Sequence, residues 1–109
     1  MIKSQERYQD IFTKSKDAIY ISTLDGQFID YNESTLELLG YTEEETEGLD
    51  IHQHFLPVES REKFLEELRS GNAVKDFEIQ IEQKNKEIRY CSITANRLET
   101  PDFSGYNGI

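Results

Sequence analysis

Residues 17–41, DAIYISTLDGQFIDYNESTLELLGY, contain in succession the signals for a strand, a turn, a second strand and a capped helix. Residues 18–23 are rich in β-branched and aromatic side chains, which predicts a strand. The dipeptide Asp25-Gly26 predicts a two-residue hairpin turn, because glycine tolerates the positive φ that such a turn requires. Residues 27–31 are then expected to form the second strand of the hairpin.

The helix after this hairpin has signals at both of its ends. Asn32 is expected to cap the first turn, since its side-chain oxygen can accept a hydrogen bond from a free backbone amide. Gly40 is expected to end the helix, because glycine readily adopts the left-handed conformation found there. Thr42 and Glu45 fit a capping box, and Gly48 is placed to close the short helix that this box would begin.

The rest of the chain continues this mixture of helix and strand. Apolar residues at helical spacing predict a second helix over residues 59–70, with a Gly-Asn pair as its stop. Alternation with a period of two predicts antiparallel strands over residues 74–82 and 87–98. A turn-rich connection is expected at residues 100–105, and one more strand is expected to begin at Tyr106.

Several of these signals occur in the order typical of one family, and the chain resembles the PAS domain, the sensory box of bacterial signal-transduction proteins. The residues that carry the resemblance are Asp25-Gly26, Asn32, Gly40-Tyr41-Thr42, Glu44-Glu45 and Gly48. The resemblance extends from about Tyr8 to Ile109 and implies an α+β PAS fold. Its antiparallel sheet would have five strands in the order 2-1-5-4-3, with short helices on one face and an N-terminal amphipathic helix.

The resemblance also implies a division of the chain and a place in a longer protein. Residues 1–15 would form the N-terminal helix or linker, and residues 16–109 the PAS domain with its last strand truncated. Family members commonly continue into an output helix, so we expect a sensory domain excised from a histidine kinase or a diguanylate cyclase. Such a module binds a small molecule or a partner and relays the signal to the output domain.

Charge and hydropathy disfavour several classes of function. Twelve Lys and Arg residues against 22 Asp and Glu residues leave a formal net charge of −10, which disfavours nucleic acids and anionic membranes as partners. No apolar run approaches the ~20 residues that span a bilayer, and the polar start lacks a secretion signal. The single cysteine, Cys91, cannot form an internal disulfide, so we expect a cytoplasmic protein without direct membrane contact.

The sequence contains no catalytic motif, and we expect no enzymatic activity in this domain. Glycine-rich phosphate loops, nucleophile elbows and zincin motifs are absent. Cys91 lies within a predicted strand, where a cysteine is usually an inert small hydrophobe. The chain also lacks the Asn-Cys-Arg-Phe sequence of PAS domains that form flavin photoadducts, and it has no tryptophan. The identity of any cofactor therefore stays unknown.

The resemblance implies a small apolar cavity that would hold a ligand. The apolar candidates for its lining are Ile19, Ile21, Phe28, Leu39, Phe55, Phe64, Leu68, Ile79, Cys91 and Ile93. The candidates for polar contacts are His52 and His54. For each apolar position, a place in an ordinary hydrophobic core is the alternative interpretation.

The two histidines leave a second hypothesis open, a haem-type sensor that uses His52 or His54. Asp50, His52 and His54 alternate, so they would share a face of an extended segment but would diverge in a helix. Haem-binding PAS domains carry a histidine on the helix that borders the cavity, and residues 59–70 contain none. This absence counts against haem, and no metal site is predicted because a fourth ligand is missing.

The N-terminal segment carries an apolar stripe of Tyr8, Ile11 and Phe12 at helical spacing. The stripe could pack on the sheet, form a homodimer interface, or do both. It therefore supports a third hypothesis, a ligand-free interaction module that forms homodimers.

Overall fold

The structure, a computed structural model, describes residues 15–109. Its strands are β1 (Tyr20–Thr23), β2 (Phe28–Tyr31), β3 (Phe55–Leu56), β4 (Ala73–Glu82), β5 (Ile88–Thr100) and β6 (Phe103–Gly108). Its α-helices are α1 (Glu33–Leu39) and α2 (Val58–Gly71), and short 3-10 helices occur at Glu44–Thr46 and Ile51–His54. The predicted N-terminal helix and the stripe of Tyr8, Ile11 and Phe12 lie outside the described residues. Across the described range, neither α-helix combines the length and hydropathy of a membrane span.

One antiparallel sheet joins the strands of the described range in the order β2-β1-β6-β5-β4-β3. The predicted strands lie in the predicted order, and the α+β fold is confirmed. The expectation of five strands was wrong by one, because Phe55 and Leu56 add a short edge strand that pairs with β4. Two residues are too few to show a period of two in the sequence.

The β1–β2 hairpin closes through a three-residue loop, Leu24 to Gly26, and not through the predicted two-residue turn. The Thr23 amide donates to the Gln27 carbonyl at 2.8 Å, and the Gly26 amide donates to the Thr23 carbonyl at 3.1 Å. Gly26 has a positive φ of 91°, as expected. The Thr23 side chain stabilises the wider loop, because its hydroxyl accepts a hydrogen bond from the Gln27 amide at 3.0 Å.

The predicted signals at the two ends of α1 and before the next short helix are present. The Asn32 side chain accepts a hydrogen bond from the Thr35 amide at 3.1 Å, and Gly40 is left-handed with φ 81°. In the capping box, the Thr42 amide donates to the Glu45 carboxylate at 2.9 Å, and the Glu45 amide donates to the Thr42 hydroxyl at 3.4 Å. These short-range bonds therefore place α1 directly after the hairpin.

The connection before β6 is a two-residue turn, shorter than the turn-rich connection expected over residues 100–105, and the strand begins at Phe103 and not at Tyr106. Thr100 already pairs with Phe103 across this turn. Gly105 lies inside the sheet, where a Cβ atom would collide with the carbonyl oxygen of Ser22 in β1. The close approach of two backbones therefore explains a glycine that looked like a turn signal.

The inward face of β1 is the opposite of the one predicted. Tyr20 and Ser22 are buried, whereas Ile19 and Ile21 are only partly buried. The register decides this orientation, because Tyr20 lies opposite Gly108 of β6, which leaves room for the tyrosine ring. The expectation that Ile19 and Ile21 face the cavity was therefore wrong.

The hydrophobic core lies between this face of the sheet and the helices. Its buried apolar members are Tyr20, Leu39, Ile51, Phe55, Phe64, Leu68, Val74, Ile79, Ile81, Ile93, Ala95 and Tyr106. Phe64 and Leu68 are both 0% exposed, so α2 buries the face that its helical periodicity predicts.

Candidate functional site

A cavity of about 640 Å³ lies among α1, β1, β4 and β5. Its apolar lining consists of Ala18, Tyr20, Leu38, Leu39, Ile51, Phe55, Ile79, Ile81, Cys91, Ile93 and Ile109. Its polar lining consists of Lys16, Asp17, Ser34, Thr35, Asp76, Ser92 and Thr94. A mostly apolar cavity of this volume with a few polar groups is typical of a small-molecule site.

The structure brings five of the predicted cavity residues together and places seven elsewhere. The residues that line the cavity are Leu39, Phe55, Ile79, Cys91 and Ile93. The residues that do not line it are Ile19, Ile21, Phe28, His52, His54, Phe64 and Leu68. Phe64 and Leu68 belong to the core, and the Phe28 ring packs edge-to-face on Tyr20 at 5.9 Å. The core interpretation therefore applies to these three.

Tyr20, Leu38, Ile51 and Ile81 line the cavity although they were not among the predicted residues. Ile81 shares a face of β4 with Ile79, so the alternation of that strand could have identified it. In β1 the inward pair, Tyr20 and Ser22, is more polar than Ile19 and Ile21, so polarity favours the wrong face. Tyr20 could therefore be placed only by the strand register.

Tyr20 lines the cavity and carries a hydroxyl. Its side chain is buried, and within residues 15–109 the hydroxyl has no hydrogen-bond partner. Burial raises the pKa of this phenol well above its ordinary value. The group therefore keeps its proton and can donate a hydrogen bond.

The β4–β5 loop holds the C-terminal end of α1 beside the cavity. Gln83 is buried, and its side-chain amide donates to the Leu38 carbonyl at 2.7 Å. The Lys84 backbone amide donates to the Leu39 carbonyl at 2.9 Å, and the Lys84 ammonium forms an ion pair with Glu45. These bonds satisfy two carbonyls at the end of the helix and so fix one wall of the cavity.

His52 is a buried imidazole that lies outside the cavity lining. The centroid of its ring lies 5.8 Å from that of Phe55 and 6.0 Å from that of Tyr106. Its Nδ1 lies 3.9 Å from the Asp50 carboxylate, and its Nε2 has no hydrogen-bond partner within residues 15–109. Burial lowers the pKa of His52, and the nearby Asp50 carboxylate opposes this shift only in part.

We expect this histidine to make stability depend on pH. Because the folded-state pKa of His52 is lowered, the unfolded chain binds more protons as the pH falls below the ordinary imidazole value of about 6.5. The contribution of neutral His52 to the free energy of unfolding is therefore complete above that pH. It is lost as the pH falls towards the folded-state pKa of His52. Urea unfolding between about pH 7.5 and about pH 5.5 should show a steeper loss of stability in the wild type than in His52→Gln. Parallel pH profiles for the two proteins would contradict this assignment.

His54 is engaged by two neighbours outside the cavity. Its Nδ1 lies 2.7 Å from the Glu82 carbonyl oxygen, which can only accept, so Nδ1 carries the hydrogen. Its Nε2 lies 3.5 Å from the Tyr41 hydroxyl. Neither His52 nor His54 lines the cavity, and α2 has no histidine. A haem in this cavity would therefore lack the ligands that the second hypothesis requires.

Asp50, His52 and His54 do not share a face, because Ile51–His54 is a 3-10 helix and not an extended segment. Within residues 15–109, no group of three His, Cys, Asp or Glu side chains is placed to hold a metal ion. Cys91 lines the cavity, and burial raises the pKa of its thiol. A raised pKa is the opposite of the activation that a nucleophilic cysteine needs.

The strand order, the capped α1 and the cavity agree with one family. The family model for the PAS domain matches residues 16–107. The chain belongs to the PAS family. PAS domains are sensory modules. No curated protein matches the chain.

Solved PAS domains have the same fold. The PAS domain of a protein from Colwellia psychrerythraea has a TM-score of 0.82 at 19% identity, with 97% of this chain and 93% of that chain covered. A domain of a sensory box sensor histidine kinase/response regulator from Geobacter sulfurreducens has a TM-score of 0.76 at 23% identity, with 95% and 90% covered. The PAS domain of an HTR-like protein from Haloarcula marismortui has a TM-score of 0.76 at 21% identity, with 97% and 88% covered.

Proposed function

We propose that this PAS domain senses a small molecule in the cavity among α1, β1, β4 and β5, and relays its binding to an output domain of a longer protein. The output domain would be a histidine kinase or a diguanylate cyclase, and the module would work in the cytoplasm. The observation that carries the proposal is the cavity itself, whose volume of about 640 Å³ and apolar lining suit a small ligand.

The positions of the two ends of the domain support a relay. Residues 16–18 and Ile109 both line the cavity, although they lie at opposite ends of the described chain. Ile109 exchanges two backbone hydrogen bonds with Thr94 of β5 at 2.9 and 3.1 Å. A ligand that shifts the cavity wall would therefore act on both segments that lead to neighbouring domains. A coupling free energy of about 1 to 3 kcal/mol is typical of such linkage.

The entry segment is also bonded directly to α1. The Asn32 side chain donates to the Asp17 carbonyl at 2.8 Å and accepts from the Ile19 amide at 3.0 Å. The Ser34 hydroxyl donates to the Ser15 carbonyl at 2.8 Å. A movement of α1 on ligand binding would therefore pull on residues 15–19, the first described segment of the chain.

Native mass spectrometry of protein purified from cells, before and after denaturation, tests whether the cavity holds a ligand. We expect an additional non-covalent mass on the wild type. Leu38→Trp should lose it, because the indole would fill the cavity from α1. Leu36→Trp is the matched control, since Leu36 is also partly buried on α1 but does not line the cavity. Wild type that carries no mass and binds nothing from a metabolite screen would contradict the proposal.

We further propose that the domain is a homodimer through the stripe of Tyr8, Ile11 and Phe12. A charge in the middle of an apolar interface is costly, so Phe12→Asp is expected to convert the dimer to a monomer. Sedimentation velocity of the 109-residue chain at several concentrations would measure this change. A wild type that stays monomeric at every concentration would contradict the dimer and leave the ligand proposal standing.

A further inference from the structure

The Tyr20 side chain lines the cavity and carries a buried hydroxyl. Tyr20 is 5% exposed and lines the cavity, and within residues 15–109 its hydroxyl has no hydrogen-bond partner. A buried hydroxyl without a partner destabilises the folded state. Native structures rarely keep such a group unless something uses it.

Packing fixes the position of this hydroxyl. The Tyr20 ring meets Phe28 edge-to-face at 5.9 Å. Its other side lies against the backbone of Gly108, where an added Cβ atom would be 2.8 Å from the hydroxyl oxygen. The ring is therefore held between β2 and β6 and cannot rotate towards solvent to satisfy its hydroxyl.

The charges around the cavity do not favour an anionic ligand. Lys16, Asp17 and Asp76 line it, and all three are exposed. They comprise two carboxylates and one ammonium, so together they do not favour an anion. The buried Thr35 hydroxyl already donates to the Ile19 carbonyl at 3.0 Å. The buried lining of the described residues therefore offers no cation for a carboxylate or a phosphate.

We propose that the cavity takes an uncharged, mainly apolar molecule with a carbonyl oxygen that accepts a hydrogen bond from Tyr20. This inference rests on the proposed function, because it assumes that the cavity binds a small molecule. The apolar walls of Leu39, Ile79 and Ile93 would contact the body of the ligand, and the hydroxyl would fix its orientation. Burial keeps the phenol protonated, which makes it a donor over the whole physiological range.

Three bicyclic probes of similar shape test the ligand class. The probes are 1-tetralone, which has a carbonyl, tetralin, which lacks it, and tetrahydro-1-naphthoate, which is an anion. Binding would be measured by NMR titration of the 109-residue chain. We expect 1-tetralone to bind more tightly than tetralin and far more tightly than the carboxylate.

Tyr20→Phe removes the hydroxyl and keeps the ring against Gly108. We expect this variant to lose about three- to tenfold in affinity for 1-tetralone, the size of one neutral hydrogen bond, and to bind tetralin unchanged. The thermal stability of the unliganded variant should equal or exceed that of the wild type, because an unpaired buried group is removed. Tyr41→Phe is the matched control, since Tyr41 is partly buried but does not line the cavity.

The outcomes separate this inference from the proposed function. Equal affinity of 1-tetralone for the wild type and Tyr20→Phe would overturn the inference, and so would preferred binding of the carboxylate. In both cases the cavity would still bind small molecules. If none of the probes binds, the inference is overturned. If native mass spectrometry also finds no bound mass, the proposed function is overturned with it.

Discussion

Phe64→Ala is expected to lower the free energy of unfolding by about 4 kcal/mol, because it would empty a fully buried aromatic position. Phe64 is 0% exposed and packs edge-to-face with Phe55 at 5.4 Å and with Phe77 at 5.5 Å. Phe55 lines the cavity, so the substitution would also remove the ring that packs against this part of the cavity wall. Urea unfolding followed by circular dichroism would measure the change.

Leu65→Ala is the matched control for this experiment. Leu65 is the next residue on α2 and is only partly buried, so its truncation should cost clearly less. Because both substitutions introduce alanine into the same helix, helix propensity acts in the same direction in each. Equal losses for the two variants would show that the aromatic cluster adds no special stability.

Asn32→Ala is expected to lower the free energy of unfolding by about 3 kcal/mol, since it removes a helix cap and several buried hydrogen bonds together. The Asn32 oxygen accepts from the amides of Ile19 and Thr35 at 3.0 and 3.1 Å. Its amide nitrogen donates to the Asp17 carbonyl at 2.8 Å. Thermal and urea unfolding would both report the loss.

The variant Asn32→Asp separates the cap from the contact with the entry segment. The aspartate keeps an oxygen for the Thr35 and Ile19 amides but loses the donor to the Asp17 carbonyl. We therefore expect a loss smaller than that of Asn32→Ala. If Asn32→Asp destabilises as much as Asn32→Ala, the cap contributes little and the bond to Asp17 is the important one.

The local signals of the sequence were sufficient for α1. The bond from the Thr35 amide to Asn32, the left-handed Gly40 and the Thr42–Glu45 pair that follows α1 all involve backbone groups within a few residues, so these features do not depend on the rest of the fold. The turn beside them was harder to predict. Asp25-Gly26 located the hairpin correctly, but the Thr23 hydroxyl bonds the Gln27 amide and selects a three-residue loop.

The cavity could be predicted in part, and the reason lies in the strands. In β4 the alternation of polar and apolar residues identified the inward face and with it Ile79. In β1 the residues that face inward, Tyr20 and Ser22, are the more polar ones, so the pattern favoured the opposite face. The pairing of Tyr20 with Gly108 selects the inward face, and these residues lie at opposite ends of the domain.

By itself, the sequence determined the order of the elements along the chain and the caps of α1, because these depend on periodicity and on bonds between near neighbours. The fold class followed from the resemblance to the PAS family. The tertiary structure alone decided the inward face of β1, the edge strand β3 and the placement of His52 and His54 outside the cavity. It also decided that the Tyr20 hydroxyl has no partner within residues 15–109. These features depend on the register between strands that are far apart in the chain, which no local pattern encodes.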